Sequence, residues 1–471
     1  MFEKLSIKNF KSISDEQELR LAPITLIYGP NSSGKSTLIQ SLLLIQQTML
    51  KPNITGGLVT NGINLKLGNF PVIVNKHESD KDIEFKVEYF VKERLRGRNE
   101  IFHKKYKLNF SFVNNSDYSF SYLKRYQYVN EMDNNNKKII IDNVFLNQLS
   151  TKNILKLKKK EAEEMALSFK FYEDHNYFFE NVIKDNKLPL SVIKSLITKP
   201  LYKSTLNHSV PSSTVLEIQG TDGLKKLHPK QLDITQVVND IVVKNANNLK
   251  EEFSNLSYIG PLRKRIEKAY FIENDFENSV GCDGDKIGYF LSSQEDTLLK
   301  TINNYFEQYG IPYEILIKKL GDDSTGPIIS ILLRDLRTDT IVGPSDVGVG
   351  ISQILPVIVE GVIRENSTIC VEQPEIHLHP KLQADLAEFF VDTCKNNQWI
   401  IETHSEALML RLQKLLRMKD ERIKPEDISI VYVHPTSNGS KLHHIRLDEN
   451  GNFRDEWPAG FFDERIDEIF G

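Results

Sequence analysis

The sequence predicts an α/β fold in which a long insertion interrupts one core, and three stretches of the chain carry this prediction. Ile24–Tyr28 (ITLIY) is a continuous apolar run, typical of a strand buried on both faces of a parallel sheet. From about Val72 to Asn255, apolar and polar residues alternate over segments such as Ile83–Val91, which indicates antiparallel strands. From Tyr258 onward strand and helix patterns alternate again, so βα units resume after the insertion.

These changes of pattern divide the chain into three segments. We expect residues 1–75 to form the N-terminal lobe of the core, 76–255 an inserted arm or partner-binding region, and 256–471 the C-terminal lobe. A length of 471 residues also allows about two to four separate domains, so three consecutive independent domains are the alternative.

Composition narrows the class of protein. With 60 Lys+Arg against 64 Asp+Glu the net charge is −4, which gives no global argument for nucleic acid as the partner. The 40% hydrophobic and 26% charged residues exclude wholesale disorder. Three scattered cysteines indicate neither a disulfide framework nor a CxxC metal site. The N-terminus lacks the apolar block of a signal peptide, and no apolar run reaches the roughly 20 residues of a membrane span, so we expect a cytoplasmic protein without membrane contact.

The strongest motif lies directly after the ITLIY run. Residues 29–37 (GPNSSGKST) satisfy G-x-x-x-x-G-K-[ST] and precede an apolar helical segment, which is the strand–turn–helix context that a phosphate-binding loop (P-loop) requires. Its backbone N–H groups would surround a polyphosphate, Lys35 would reach the β- and γ-phosphates, and the Ser36 hydroxyl would ligate Mg²⁺. A chance match is the alternative. The candidate nucleotide-binding residues are Gly29, Pro30, Asn31, Ser32, Ser33, Gly34, Lys35, Ser36 and Thr37.

An acidic residue ends a second buried strand. Thr368–Val371 is apolar, and Glu372 follows at its carboxyl end, where α/β sheets place ligand chemistry. Glu372 would hold Mg²⁺ directly or through water. The alternative is a metal cluster of His-x-His type, which Pro374 and Pro380 disfavour because they bracket a turn. Its ligands would be Glu372, Glu375, His377 and His379.

Two segments resemble motifs of ATP-binding-cassette (ABC) ATPases. Residues 372–380 (EQPEIHLHP) match D-E-P-[TS]-x-x-L-D-P in register, with Glu372 in place of the Mg-binding Asp and residues 378–380 on the D-loop. Residues 399–405 (WIIETHS) form another apolar strand, and His404 is similar to the switch histidine that contacts the γ-phosphate in that family.

A third segment resembles a signature loop. Residues 346–356 (DVGVGISQILP) are similar to the divergent signature of RecF-like and OLD-like (overcoming-lysogenization-defect) ATPases, where it completes a second subunit's nucleotide pocket in a head-to-tail dimer. A Gly-rich turn opening a helix is an anion site, although a packing turn without ligand is the alternative. We take Gly348, Gly350 and Ser352 as candidates; which of Ser345, Gly350 and Ser352 faces the phosphate stays open.

The order of these motifs covers nearly the whole chain and resembles an ABC-type P-loop ATPase head split by a long β-rich plus helical insertion. The segments 258–263 (YIGPLR) and 456–463 (EWPAGFFD) further resemble stand-alone bacterial OLD-like ATPases of antiphage systems of the Septu and retron-associated, PtuA-like kind. The resemblance implies ATP and Mg²⁺ as cofactors, and a homodimer with ATP held between the heads or a higher oligomer built from it.

The chain departs from the ABC pattern at the general base. Gln373 occupies that position, and an amide cannot accept a proton from water at neutral pH. Loss of a general base costs about 10²–10⁴ in rate, so we predict slow ATP hydrolysis unless Glu375 substitutes. The candidate catalytic residues are Glu372, Gln373, Glu375 and His404. No convincing Q-loop is present; Gln46 and Gln47 fit the helix after the P-loop.

Basic residues outside these motifs permit two interpretations. The mixed-charge run 156–165 (KLKKKEAEEM) fits a solvated helix face better than a phosphate-binding edge. Arg263, Lys264 and Arg265 are candidates for an anion or nucleotide contact, and structural salt bridges are the alternative. Only 67 residues follow His404, too few for an added nuclease domain of roughly 100 residues.

The leading interpretation is an ATP-dependent dimeric switch that regulates a separate effector protein, such as a nuclease, in bacterial antiphage defence. The alternative is a RecF/Rad50-like DNA-maintenance ATPase that binds DNA itself. An autonomous nuclease is a third interpretation.

Overall fold

The computed structural model describes residues 1–50, 57–94, 101–114, 121–132, 137–144, 170–172, 248–271, 279–293, 296–321 and 326–458. The run 156–165 and the end of the segment 456–463 lie outside these residues, so the predictions for them remain predictions.

The strands and helices of the described chain have the following bounds. The strands are β1 (Phe2–Lys8), β2 (Gln17–Arg20), β3 (Ile24–Tyr28), β4 (Ile83–Arg94), β5 (Ile101–Asn114), β6 (Ser121–Met132), β7 (Lys137–Val144), β8 (Lys170–Tyr172), β9 (Leu256–Ile259), β10 (Tyr270–Phe271), β11 (Tyr313–Leu320), β12 (Ile328–Asp335), β13 (Thr340–Val342), β14 (Ser367–Glu372), β15 (Asn397–Glu402), β16 (Ile428–Thr436) and β17 (Gly439–Ile445). The α-helices are α1 (Lys35–Leu50), α2 (Phe70–Ile73), α3 (Ile287–Ser293), α4 (Asp296–Gln308), α5 (Val349–Ile363), α6 (Pro380–Thr393) and α7 (Glu406–Arg417). Short 3₁₀ helices span Asn75–His77, Pro344–Asp346 and Pro425–Asp427.

The chain forms two compact units, and the first comprises Met1–Leu19, Gln40–Ser254 and Ser437–Ser440. Its sheet has the order β2-β1-β4-β5-β6-β7-β8, and the pairings from β1 through β8 are antiparallel. Alternate residues of β4 and β5 are buried, and the Tyr89 and Tyr106 rings stack 5.4 Å apart. The predicted antiparallel strands of the insertion are therefore confirmed where the chain is described.

The second unit comprises Arg20–Ile39, Asn255–Thr436 and Lys441–Gly471, and it contains the P-loop. Its main sheet has the order β17-β16-β3-β15-β14-β9, in which β16, β3, β15, β14 and β9 run parallel. Every residue of β3, β14 and β15 is buried, which explains their continuous apolar sequences. A four-stranded sheet of β10 to β13 accompanies it. The predicted α/β class with a long insertion is confirmed.

The division of the chain differs from the predicted segments. Residues 1–75 do not form one lobe, because β1 pairs with β4 of the insertion, whereas β3 lies between β16 and β15. The charged, alternating strand β1 (FEKLSIK) and the apolar strand β3 (ITLIY) thus enter different sheets. The chain returns to the second unit at Asn255.

The cysteines have no disulfide partners, and two of the three lie in the interior. Cys370 and Cys394 are buried and Cys282 is half-buried, all with free thiols. Within the described ranges, no helix combines the length and the apolar character needed to cross a bilayer.

Candidate functional site

The predicted P-loop leaves the carboxyl end of β3 and enters α1. Gly29 and Gly34 have φ values of +148° and +98°, which disfavour any side chain, and Ser32 also adopts a positive φ of 62°. A Cβ atom on Gly29 would lie 2.5 Å from the Val433 carbonyl oxygen. The loop therefore requires glycine at its first position, where the backbone turns tightly over the strand end.

The P-loop lysine is folded against its own loop. Lys35 is 4% exposed, and its Nζ donates to the carbonyl oxygens of Gly29 (3.0 Å) and Pro30 (2.9 Å). Burial lowers the Lys35 pKa, and the nearby carboxylates oppose that shift. These carbonyls hold the ammonium at the place where the phosphates of a nucleotide would compete for it.

Two acidic side chains flank the P-loop serine. The Ser36 Oγ donates to the Oε2 of Glu402 at 2.7 Å. Glu402 ends β15 in register with Glu372, which ends the neighbouring parallel strand β14. Because side chains in register on adjacent parallel strands point to the same face, both carboxylates lie on one side of the sheet.

The environment of these two carboxylates favours a cation. Burial, followed by repulsion from Glu402, raises the pKa of Glu372 to about 7, although hydrogen bonds from Tyr258 and Ser36 oppose the shift. The Tyr258 hydroxyl donates to Glu372 Oε1 at 3.0 Å. Burial also raises the pKa of Glu402. A divalent cation would stabilise the ionised form of both groups.

The residues present fit Mg²⁺ and a nucleotide. Ser36 and Glu372 offer the hard oxygen ligands that Mg²⁺ prefers, and Glu402 lies beside them in contact with the Ser36 hydroxyl. No group of three or more His, Cys, Asp or Glu side chains in the described chain is arranged to hold a metal, so the His-x-His alternative gains no support.

Glu375 and His404, two of the predicted catalytic residues, are connected by a hydrogen bond. The His404 backbone N–H donates to Glu375 Oε1 at 2.6 Å. Two buried atoms, Glu375 Oε2 and His404 Nε2, have no hydrogen-bond partner among the residues that the structure describes. Burial and the charge of Lys35 lower the pKa of His404, and burial raises that of Glu375. A neutral imidazole nitrogen and a carboxylate oxygen are thus available to a ligand or to water.

Gln373 sits in a strained turn between these groups. Its φ is +46°, its N–H donates to the Glu402 carbonyl at 2.7 Å, and its own carbonyl accepts from Arg263 Nη1 at 3.1 Å. The other Arg263 Nη donates to the carbonyl of Glu372.

Arg263 therefore holds the main chain after β14. Arg263 is 6% exposed, and its guanidinium is engaged by these carbonyls rather than by a salt bridge. Lys264 forms a 3.0 Å ion pair with Asp283, as the salt-bridge alternative expected.

Gln383, a residue that we did not predict, joins the D-loop turn to the switch segment. Its Oε1 accepts from Ser405 Oγ at 2.7 Å, and its Nε2 donates to the Leu378 carbonyl at 3.0 Å. Ser405 also caps α7 by accepting from the Leu408 N–H. One amide therefore fixes both segments that carry Glu375 and His404.

The signature candidates divide between the surface and the interior. Gly348 is exposed at the N-cap of α5, and Gly350 is half-buried with the His377 carbonyl 3.1 Å from a hypothetical Cβ. Ser352 is 3% exposed, and its Oγ accepts from the Ile266 N–H at 3.3 Å. The helix thus turns the Ser352 hydroxyl inward, whereas Gly348 stays at the surface.

A cavity of about 410 Å³ adjoins the exposed part of this loop. The residues that line it come from the start of α5, the turn 377–379, the start of α6 and the segment 309–313.

Glu402 is the other residue that we overlooked, although the sequence carried a signal for it. It follows the apolar run Trp399–Ile401 just as Glu372 follows Ile369–Val371, so the same strand-end rule could have identified both. Nothing in the sequence pattern indicated the roles of Tyr258, Arg263 or Gln383, because their partners are distant along the chain.

The fold and the site define a P-loop nucleotide-binding protein. A family model described as "AAA ATPase domain" matches residues 1–409, and the chain therefore belongs to this ATPase family. A second model, described as a protein of unknown function (DUF3696), matches residues 423–470. No curated protein matches the chain.

Heads of SMC proteins are among the similar solved structures. An Smc head with an extended coiled coil, bound to the C-terminal domain of ScpA and derived from Pyrococcus furiosus, has a TM-score of 0.42 at 10% identity over 99% of both chains. An SmcHead bound to the C-winged helix domain of ScpA gives 0.39 at 10% identity, covering 95% of this chain and 98% of that one. The SMC head domain from Thermotoga maritima gives 0.37 at 10% identity, covering 95% and 99%. Likenesses at this level of identity and TM-score carry no conclusion about function.

Proposed function

We propose that the protein is an ATP-binding switch of the ABC type that hydrolyses ATP slowly. The observation that carries this proposal is the meeting of Lys35, Ser36, Glu372 and Glu402 at the carboxyl ends of three adjacent buried strands. This edge is where α/β sheets bind ligands, and the P-loop follows β3, which pairs with β15, the strand that Glu402 ends.

Four residues of the chain would have distinct roles in binding Mg²⁺ and the nucleotide. When bound, Mg²⁺ would neutralise charge on the β- and γ-phosphates. Lys35 would exchange the carbonyls of Gly29 and Pro30 for phosphate oxygens. Ser36 and Glu372 would hold the metal, and the neutral His404 would direct Nε2 toward the γ-phosphate.

Removal of the proton from the attacking water would be the slow step of ATP hydrolysis. Gln373 can orient a water molecule but cannot take its proton, whereas the buried Glu375 Oε2, which has no hydrogen-bond partner in the described part of the chain, could take it. Glu375 is also held through Oε1, so it would act from a fixed position. Slow turnover would leave the ATP-bound form long-lived.

Binding of mant-ADP, a fluorescent nucleotide, by the purified full chain tests the nucleotide site. Lys35→Ala removes the ammonium that would face the phosphates, so we expect at least a 10-fold weaker affinity; a cooperative thermal unfolding transition shows that the variant is folded. Lys395→Ala, at an exposed position, is the matched control and should bind as the wild type does. Equal affinity of all three proteins would reject the site.

We further propose that the switch acts on a separate effector protein, such as a nuclease, and that the setting is antiphage defence. The support is the resemblance of residues 258–263 to that group of ATPases, together with a net charge of −4 that does not favour DNA as the main ligand. ATP-dependent recovery of one stoichiometric partner with the tagged chain from its own cells would support this role. Salt-dependent DNA binding by the isolated chain, without such a partner, would favour the DNA-maintenance alternative.

A further inference from the structure

Glu402 holds the P-loop serine from a rigid position. The side chain is 5% exposed, and Oε2 accepts the Ser36 hydroxyl at 2.7 Å. The main chain around it is fixed on both sides, because its carbonyl accepts from the Gln373 N–H at 2.7 Å and the next N–H donates to the Ile27 carbonyl at 3.1 Å. The carboxylate therefore stands at a strand end that cannot move independently of the P-loop strand.

The direction of the Ser36 hydroxyl proton determines whether its oxygen can bind a metal. A serine hydroxyl has one proton and two lone pairs, and it can ligate a metal only through its oxygen. Its proton must then point at an acceptor away from the metal. Partners of this kind orient metal ligands and increase their basicity, and their loss costs about 10–100-fold in metal affinity.

Glu372 is less suited to accept this proton. Its Oε1 already accepts the Tyr258 hydroxyl at 3.0 Å. Ser36 does lie near enough to Glu372 to lower that group's pKa, so the hydroxyl stands between two carboxylates. The 2.7 Å bond nevertheless goes to Glu402, which leaves Glu372 to face a cation with its charge.

We propose that Glu402 is a positioning residue for Mg²⁺ binding: it accepts the Ser36 proton and thereby turns the hydroxyl lone pairs toward the metal. This inference rests on the proposed nucleotide function. Glu402, at the end of β15, accepts the proton. Glu372, at the end of the neighbouring strand β14, supplies the negative charge that faces the metal.

The test compares mant-ADP affinity in EDTA with that in MgCl₂, because the ratio isolates the contribution of the metal. Glu402→Leu removes the acceptor, so we expect its Mg²⁺ enhancement to fall about 10–100-fold while its affinity in EDTA is no weaker than that of the wild type. Glu402→Gln keeps an acceptor oxygen at the same place, so it should retain most of the enhancement. Glu365→Gln, at an exposed position, is the control and should match the wild type.

A double-mutant cycle makes the positioning role specific. If Glu402 acts through Ser36, then Glu402→Leu should add little to the loss caused by Ser36→Ala. Additive losses would overturn the proposal. So would an unchanged enhancement in Glu402→Leu, or a Glu402→Gln variant as impaired as Glu402→Leu, since Glu402 would then act by its charge as a direct ligand.

Two controls keep the outcomes separate. Thermal unfolding without nucleotide identifies a variant that fails to fold, in which case the cycle is repeated with Glu402→Gln and Glu402→Ala. If the wild type and Lys35→Ala both fail to bind mant-ADP, the proposed function falls. If the wild type binds with a Mg²⁺ enhancement that no Glu402 variant alters, only this inference falls.

Discussion

Three buried carboxylates in one small site dominate the chemistry at the scale of single residues. Glu372, Glu375 and Glu402 all have raised pKa values because burial disfavours their charged forms, and Lys35 is the nearby cation. Such an arrangement is costly without a ligand and suits a site that receives a divalent metal.

Glu372 should make the stability of the free protein pH-dependent. Its pKa rises from 4.5 to about 7 on folding, so the folded state binds the proton more tightly than the unfolded state does. The contribution of this group is therefore favourable at low pH and is lost as the pH rises from about 4.5 to 7. We expect Glu372→Gln to raise the free energy of unfolding by roughly 1–3 kcal/mol more at pH 8 than at pH 5. Urea unfolding of both proteins without nucleotide measures this difference, and an equal effect at the two pH values would contradict it.

The Gln373 position should control the rate of hydrolysis. Gln373→Glu supplies a carboxylate at the place of the missing base, so we expect ATP turnover to increase at least 10-fold. Glu375→Gln should lower the wild-type rate by about 10²-fold with unchanged mant-ADP affinity, because its Oε1 can still accept the His404 N–H. Phosphate release by protein freed of contaminating ATPases provides the measurement. The interpretation fails if Gln373→Glu is as slow as the wild type and Glu375→Gln is unaffected.

At the scale of elements, the D-loop turn and the switch segment meet at one amide. Gln383 on α6 bonds the carbonyl of Leu378 and the hydroxyl of Ser405, which begins α7. The positions of Glu375 and His404 therefore depend on the packing of two helix starts as well as on the sheet.

A double-mutant cycle between Gln383 and Ser405 should show this dependence. We expect Gln383→Ala and Ser405→Ala each to lower ATP turnover several-fold with little change in mant-ADP affinity, and the double variant to lose less than the sum of the two effects. Ser405→Ala should also destabilise the protein by about 1 kcal/mol through loss of the helix cap. Fully additive effects on turnover would indicate that the 2.7 Å bond does not couple the two segments.

At the scale of the whole molecule, the homodimer that the family resemblance implies is still a prediction. Gly348 offers a clean test, because it is exposed, nothing lies within 4 Å of a hypothetical Cβ and its φ of −59° suits any residue. Gly348→Arg should fold and bind mant-ADP normally but block closure of the signature loop on a partner's nucleotide. Light scattering should detect an ATP-dependent dimer for the wild type and a monomer for Gly348→Arg. An unchanged dimer in the variant would exclude this loop from the interface.

The sequence by itself determined the P-loop, the buried strands β3, β14 and β15, and the residues at their carboxyl ends. Their signals are local: a continuous apolar run, a glycine spacing and a charge directly after a strand. The tertiary structure alone decided that β1 pairs with β4, that Arg263 holds two carbonyls, that Ser352 points inward, and that Ser36 bonds Glu402, 366 residues away. These outcomes depend on strand order and helix rotation, which bring together groups far apart in sequence, and no local pattern encodes such pairs.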